Sequence, residues 1–263
     1  MNRIQTIVDK EWAEVFKNRV VLLTVIIMPL VFTILPLVVL NTLRTSGGVP
    51  GNSSDMPSSF AKACTQGMSA GDCMQIFLVN EFLLLFMMMP LAIPIAIAAY
   101  SIVGEKATHS LEPLLATPIT TVELLVGKAF AAGAPAIVTT WVCFIIFVLA
   151  TPLVGVTPAV QAYILGPTWL LAVLLVGPLM AIAAVNFALI VSSRVSDPRA
   201  AEQISMVLIL PLLAALFGQI AGVLVINVQF MLLAVVFMAV ADVGLIYLGA
   251  SLFQRETILT KWK

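Results

Sequence analysis

The stretch IFLVNEFLLLFMMMPLAIPIAIAAYSI, residues 76–102, carries one charged residue, Glu81, in an otherwise apolar run. Wound as an α-helix at ~1.5 Å per residue it spans about 40 Å, more than the ~30 Å hydrocarbon core of a bilayer. Lipid offers nothing to a free backbone N–H or C=O, so a run of this length reads as a membrane-crossing helix. Five further runs read the same way, at 20–40, 129–150, 168–191, 204–225 and 229–252. The expected fold is an all-α polytopic membrane protein with six transmembrane helices. Pro29, Pro36, Pro90, Pro94, Pro135, Pro178 and Pro211 fall inside these runs and predict kinks or local breaks.

Composition agrees. Of 263 residues 61% are hydrophobic and only 10% charged, with a mean hydropathy of +1.12, against about 25% charged in soluble domains. Thirteen Lys and Arg balance thirteen Asp and Glu, which excludes a generally basic nucleic-acid binder. Three Cys and a single His, His109, cannot alone build a four-ligand zinc cluster. Cys143 sits in an apolar run and reads as a packing residue. Cys64 and Cys73 share the longest polar loop, 41–75, and are disulfide candidates if that loop meets an oxidising compartment.

The basic residues orient the chain. Arg3, Lys10, Lys17, Arg19, Lys106, Lys128, Arg194, Arg199, Arg255, Lys261 and Lys263 fall on one side of a six-span topology, and only Arg44 and Lys62 on the other. The positive-inside rule then makes both termini cytoplasmic in the cell membrane, with 41–75 an external loop. Residues 1–19 form a separate unit ahead of the six-helix domain, 20–263. Ile4, Ile7, Val8, Trp12, Val15 and Phe16 share one half of a helix there, opposite Arg3, Lys10 and Lys17. This amphipathic helix fits the cytoplasmic lipid interface. Glu11, on its apolar side, blurs the pattern.

The second cytoplasmic segment, 103–128, holds the most informative motif. Leu111, Leu114 and Leu115 share a helical face, Thr117-Pro118 breaks it, and Thr120 or Thr121 can cap a second short helix beginning near Val122. Gly127-Lys128 is not a phosphate loop: Val122 stands where that motif needs glycine and Ala129 where it needs Ser or Thr.

The pattern Gly104-Glu-Lys, Leu111-Glu, Leu114-Leu-Ala-Thr-Pro-Ile, Glu123-Leu-Leu and Gly127-Lys resembles the cytoplasmic signature of type-2 ABC exporter permeases. An interfacial first helix, six spans and a fifth span reading Ile209-Leu-Pro-Leu-Leu resemble that family in order. His109-Ser110 and Pro113 depart from its usual residues. The resemblance implies that this segment couples to a separate ATPase through Glu105, Leu111, Glu112, Leu114, Leu115 and Pro118. It also implies two ATPase subunits as partners and a second permease chain, homo- or heterodimeric. This chain would then bear no cofactor, with ATP and Mg held by the ATPase.

Charged and polar residues inside the spans are expensive and often functional. Asp242, Glu81 and Asn186 are candidates for a translocation pathway, although Glu81 fits a solvated rim near the outer end of its span. Asn186 and Gln219 also read as interhelical hydrogen-bonding residues. The Met87-Met88-Met89 run reads as packing rather than as a metal site. Two other functions stand beside the ABC reading: an ion-coupled secondary transporter using Asp242, and a non-transporting membrane scaffold. Sparse intramembrane charge fits lipid-like or amphipathic cargo better than a polar solute.

Overall fold

A computed structural model of the chain describes residues 3–17, 19–45, 69–107 and 121–252, helical apart from turns and short irregular connections, with no strand among them. Helix α1, Arg3–Lys17, precedes α2, Arg19–Thr45, the first span. The second span is two helices, α3 (Ala70–Phe86) and α4 (Met89–Ala107), and the third is α5, Thr121–Ala150. The fourth comprises α6 (Pro158–Ile164), α7 (Pro167–Leu171), a π turn (Ala172–Val176) and α8 (Gly177–Arg194). The fifth is α9 (Pro198–Ser205), a 3₁₀ turn (Met206–Ile209) and α10 (Leu210–Ile220); α11, Val228–Leu252, is the sixth. All six are long and apolar enough to cross a membrane.

The helices outrun the apolar stretches that betray them. Helix α2 continues to Thr45 and α3 starts at Ala70, so the loop expected at 41–75 is helical at both ends. Ser69 caps α3, its hydroxyl accepting from the Asp72 N–H at 3.1 Å, which moves the span's start six residues ahead of the apolar run. The fifth span ends at Ile220 rather than 225, because Gly222 takes φ 72° and turns the chain out. The second short helix expected near Val122 does begin at Thr121, but it is no separate element: it runs unbroken to Ala150. At ~1.5 Å per residue that rod is about 45 Å long.

Three of the seven span prolines interrupt their helices. Pro90 cannot donate, and the chain breaks at Met87-Met88 between α3 and α4. Pro178 follows the π turn, where Gly177 N–H bonds back to Ala172 O. The next bond of that register would need an N–H on Pro178, so Val173 O is left for an outside donor. The Trp141 indole N–H of α5 fills it at 3.0 Å. Pro211 follows the 3₁₀ turn of the fifth span. Pro29, Pro36, Pro94 and Pro135 lie inside continuous helices. The two irregular spans touch: a Cβ on Gly177 would sit 3.8 Å from the Pro90 ring.

Helix α4 is the hub, packed by α2, α5, α8 and α9. The most apolar window of the second span is 89% buried, against 11% in the fifth and sixth. Association of helices in lipid relies on close packing rather than on the hydrophobic effect. Buried alanines supply it, including Ala92, Ala96 and Ala99 of α4, Ala132 and Ala136 of α5, and Ala184 and Ala188 of α8. Phe86, Phe144 and Phe147 close around the fully buried Trp169, their ring centroids 5.6–6.0 Å from its indole. Large apolar side chains of α2 and α11, such as Leu30, Ile34, Val236 and Phe237, stay exposed and suit a lipid environment. Cys143 is free and buried, as packing requires.

Candidate functional site

The segment singled out by its sequence joins α4 to α5. Leu111, Glu112, Leu114, Leu115 and Pro118 lie outside the described residues, and Glu105 is described only by its backbone, in the last turns of α4. What is described is how the two stems of this loop are held. Lys128, seven residues into α5, is buried with Glu11 of α1, their side chains 1% and 5% exposed. Lys128 Nζ donates to Glu11 Oε1 at 2.7 Å, to Ser101 Oγ at 2.7 Å and to Ser101 O at 3.3 Å. Ser101 Oγ in turn donates to Glu11 Oε2 at 2.8 Å. All three ammonium donors are therefore used, in a closed ring joining α1, α4 and α5.

Two neighbours make the ring possible. Gly127 lets α1 approach, since a Cβ there would lie 2.9 Å from Ile7 Cγ2 and 3.0 Å from Ile7 Cβ. The Trp12 indole N–H donates to Ala131 O at 3.0 Å, one turn further along α5. Ile7, Val8 and Glu11 are thus buried against the bundle, while Ile4 and Trp12 remain exposed on the flank of α1. Glu11 does not disturb the amphipathic pattern; it is the polar contact for which that face is built.

Helix α4 is gripped from another side at the same level. Ser192 of α8 accepts from Val103 N–H at 3.2 Å and donates to Ala99 O at 3.0 Å. Ala99 and Val103 are i and i+4, so the hydroxyl inserts into the helical ladder. Ala99 and Val103 also pack with Val191 and with Ala201 of α9. The stem leading into the loop is therefore fixed to α1 and to the third, fourth and fifth spans together.

The other candidates do not join this site. Glu81 is 7% exposed and about 16 Å along α3 from its start, so it is a buried residue and not a solvated rim position. It faces Gln219 of α10; Asn80 beside it donates to Ile226 O at 3.4 Å. Asp242 is 5% exposed, and among the described residues neither of its oxygens has a hydrogen-bond partner. Asn186 donates to Ile182 O of its own helix at 2.8 Å and is no interhelical bond. Gln219 is buried beside Glu81, and among the described residues it makes no hydrogen bond of good geometry. Cys73 is disulfide-bonded; Cys64 lies outside the described residues. Sequence reading named Lys128 but gave it no site role, and did not single out Ser101. At the far end it also missed Asp72, whose carboxylate accepts from Ser69 Oγ and from Thr157 Oγ1, both at 2.8 Å.

Six membrane-length spans, the second of them 89% buried among the others, with one inter-span loop whose stems are anchored by a buried ion pair, define a multi-pass α-helical membrane protein. Over residues 5–234 the sequence matches the family model described as ABC-2 family transporter protein, and the chain belongs to that family. Its members are membrane components of ABC transporters. No curated protein matches the chain at a significant level.

Proposed function

We propose that this chain is the permease subunit of an ATP-driven exporter and that its 103–128 segment receives a separate ATPase subunit at the cytoplasmic face. Two ATPase subunits, holding ATP and Mg, would serve two permease chains, identical or different. Both termini are cytoplasmic in this reading, which the one-sided distribution of basic residues supports. The observation that carries it is the Glu11–Lys128–Ser101 ring. Both stems of the loop are bonded to each other and to α1, so a push on the loop moves them as one body. Closure of the ATPase dimer on ATP would displace the loop. Continuous α5 would carry that motion along the third span, and Ser192 would carry it into the fourth.

Glu105, Leu111, Glu112, Leu114, Leu115 and Pro118 form the ATPase contact in this proposal. Asp242, Glu81 and Asn186 stay pathway candidates, with amphipathic cargo favoured by the sparse intramembrane charge. Purification from native membranes in mild detergent tests the pairing and should co-isolate an ATPase. Glu105→Lys with Glu112→Lys should leave the chain folded and abolish that co-isolation. Transport by the chain alone, driven by an ion gradient without ATP, would overturn the proposal in favour of a secondary transporter.

A further inference from the structure

Between α3 and α10, in the half of the bundle remote from the coupling loop, the protein buries more oxygen than it can satisfy. Asn80, Glu81 and Gln219 are 0%, 7% and 2% exposed. The Asn80 NH₂ is used by Ile226 O, which fixes the amide and leaves Oδ1 as its free end. Among the described residues, Asn80 Oδ1, Glu81 Oε1, Glu81 Oε2 and Gln219 Oε1 are all buried without a hydrogen-bond partner, against a single unpartnered donor atom, Gln219 Nε2. Gln219 lies within interaction range of Glu81. The two N–H groups on that nitrogen cannot serve all four acceptors, one of which is the same amide's own oxygen.

Leaving buried acceptors bare costs about 1–3 kcal/mol each, and more for a carboxylate. Such an excess of acceptors, around a carboxyl that carries one negative charge when ionised, is complementary to a ligand that is a cation or a charged donor. The backbone nearby is shaped around the same place. Gly222 turns the chain at φ 72°, and Leu224 folds back until its Cβ lies 3.5 Å from where a Gly218 Cβ would be, bringing Ile226 O to Asn80.

We infer that Glu81, Gln219 and Asn80 form a binding site for a singly charged cation between the second and fifth spans. One carboxylate balances one positive charge, and amide oxygens suit either a bare alkali ion or the N–H donors of a primary ammonium group. The site does not depend on the ATP-coupled reading, since it concerns binding by this chain alone.

The full chain in lipid nanodiscs, followed by thermal unfolding at constant ionic strength, tests it. Sodium chloride and ethylammonium chloride are the probes, and choline chloride, charged but without N–H donors, is the baseline. The expected result is a saturable rise in the unfolding midpoint of several degrees with one probe, because a ligand that binds only the folded state stabilises it. A response to sodium assigns the site to an inorganic cation, and a response to ethylammonium to an amine. Glu81→Gln should unfold at or above the wild-type midpoint in choline and lose the response. Gln219→Leu should shift the probe's half-saturating concentration upward at least tenfold. Asp242→Asn, which changes the other buried carboxyl without a hydrogen-bond partner among the described residues, should keep the response. No probe-specific rise in the wild type, or the same rise in Glu81→Gln, overturns the inference. So does a response lost in Asp242→Asn and kept in Glu81→Gln.

Discussion

Glu11 Oε1 and Lys128 Nζ lie 2.7 Å apart although 117 positions separate them in sequence. The pair closes across the two ends of the coupling loop's scaffold. Ser101 stands before the loop and Lys128 after it, while Glu11 comes from a helix outside the six spans. A buried ion pair is a weak source of net stability, because desolvation offsets most of the attraction. It is a strong source of registry, since each charge is costly in any other arrangement. Its position therefore fits a joint that must move without slipping.

Removing one charge from this joint should be far worse than removing both. Glu11→Gln leaves the Lys128 ammonium buried among neutral groups and should destabilise by about 3 kcal/mol or more. Glu11→Leu with Lys128→Met replaces the pair by apolar groups of similar size and should recover most of that loss. Unfolding midpoints of the two single variants and the double in the same nanodiscs measure this. If the double variant recovers stability but uncouples ATP hydrolysis from transport, the joint acts in transmission.

Gly127 offers an independent check on the approach of α1. Alanine would gain about 1 kcal/mol in helix propensity. Its Cβ, however, would meet the branch point of Ile7 and not a flexible tip, so α1 must shift. Overpacking of this kind costs about 1–3 kcal/mol, and Gly127→Ala should come out destabilised. Adding Ile7→Ala relieves the contact with Cγ2 and should raise the midpoint above that of Gly127→Ala alone.

Ser192→Ala removes two bonds to α4 at once. The hydroxyl bridges Ala99 O and Val103 N–H, so its loss should cost about 1–2 kcal/mol. Hydrogen exchange gives a local readout. The Val103 amide should exchange faster in Ser192→Ala, while amides of α11, which Ser192 does not bond, keep their wild-type rates.

The six spans were legible because a long uncharged run has no alternative in lipid. Their ends were not, because the polar residues that begin and end a span are helical too. Ser69 followed three residues later by Asp72 was the overlooked signal. It moves the start of α3 back far enough to carry Glu81 from the rim into the interior. The joint was illegible for a different reason. Glu11 looked like a flaw in an amphipathic pattern and Lys128 like the end of a false phosphate loop, and one sequence cannot pair two anomalies so far apart. Two opposite charges, each on the apolar side of its own helix, were the only hint. The coupling role proposed for 103–128 rests on the resemblance alone, since neither periodicity nor charge says what docks there.

Asp242 separates a structural carboxyl from a working one. It is buried on α11, a span with only 11% of its apolar window buried, and it turns inward on a helix that packs against α8. Neither oxygen has a hydrogen-bond partner among the described residues, so no bond there offsets the burial. A residue kept only for packing would serve better as leucine. Asp242→Leu should therefore raise the unfolding midpoint by several degrees. If the carboxyl lines the pathway, ATP-driven transport in reconstituted vesicles should fall at least tenfold while ATPase co-isolation is unchanged. A lower midpoint in Asp242→Leu would instead assign the carboxyl to the folding of the bundle.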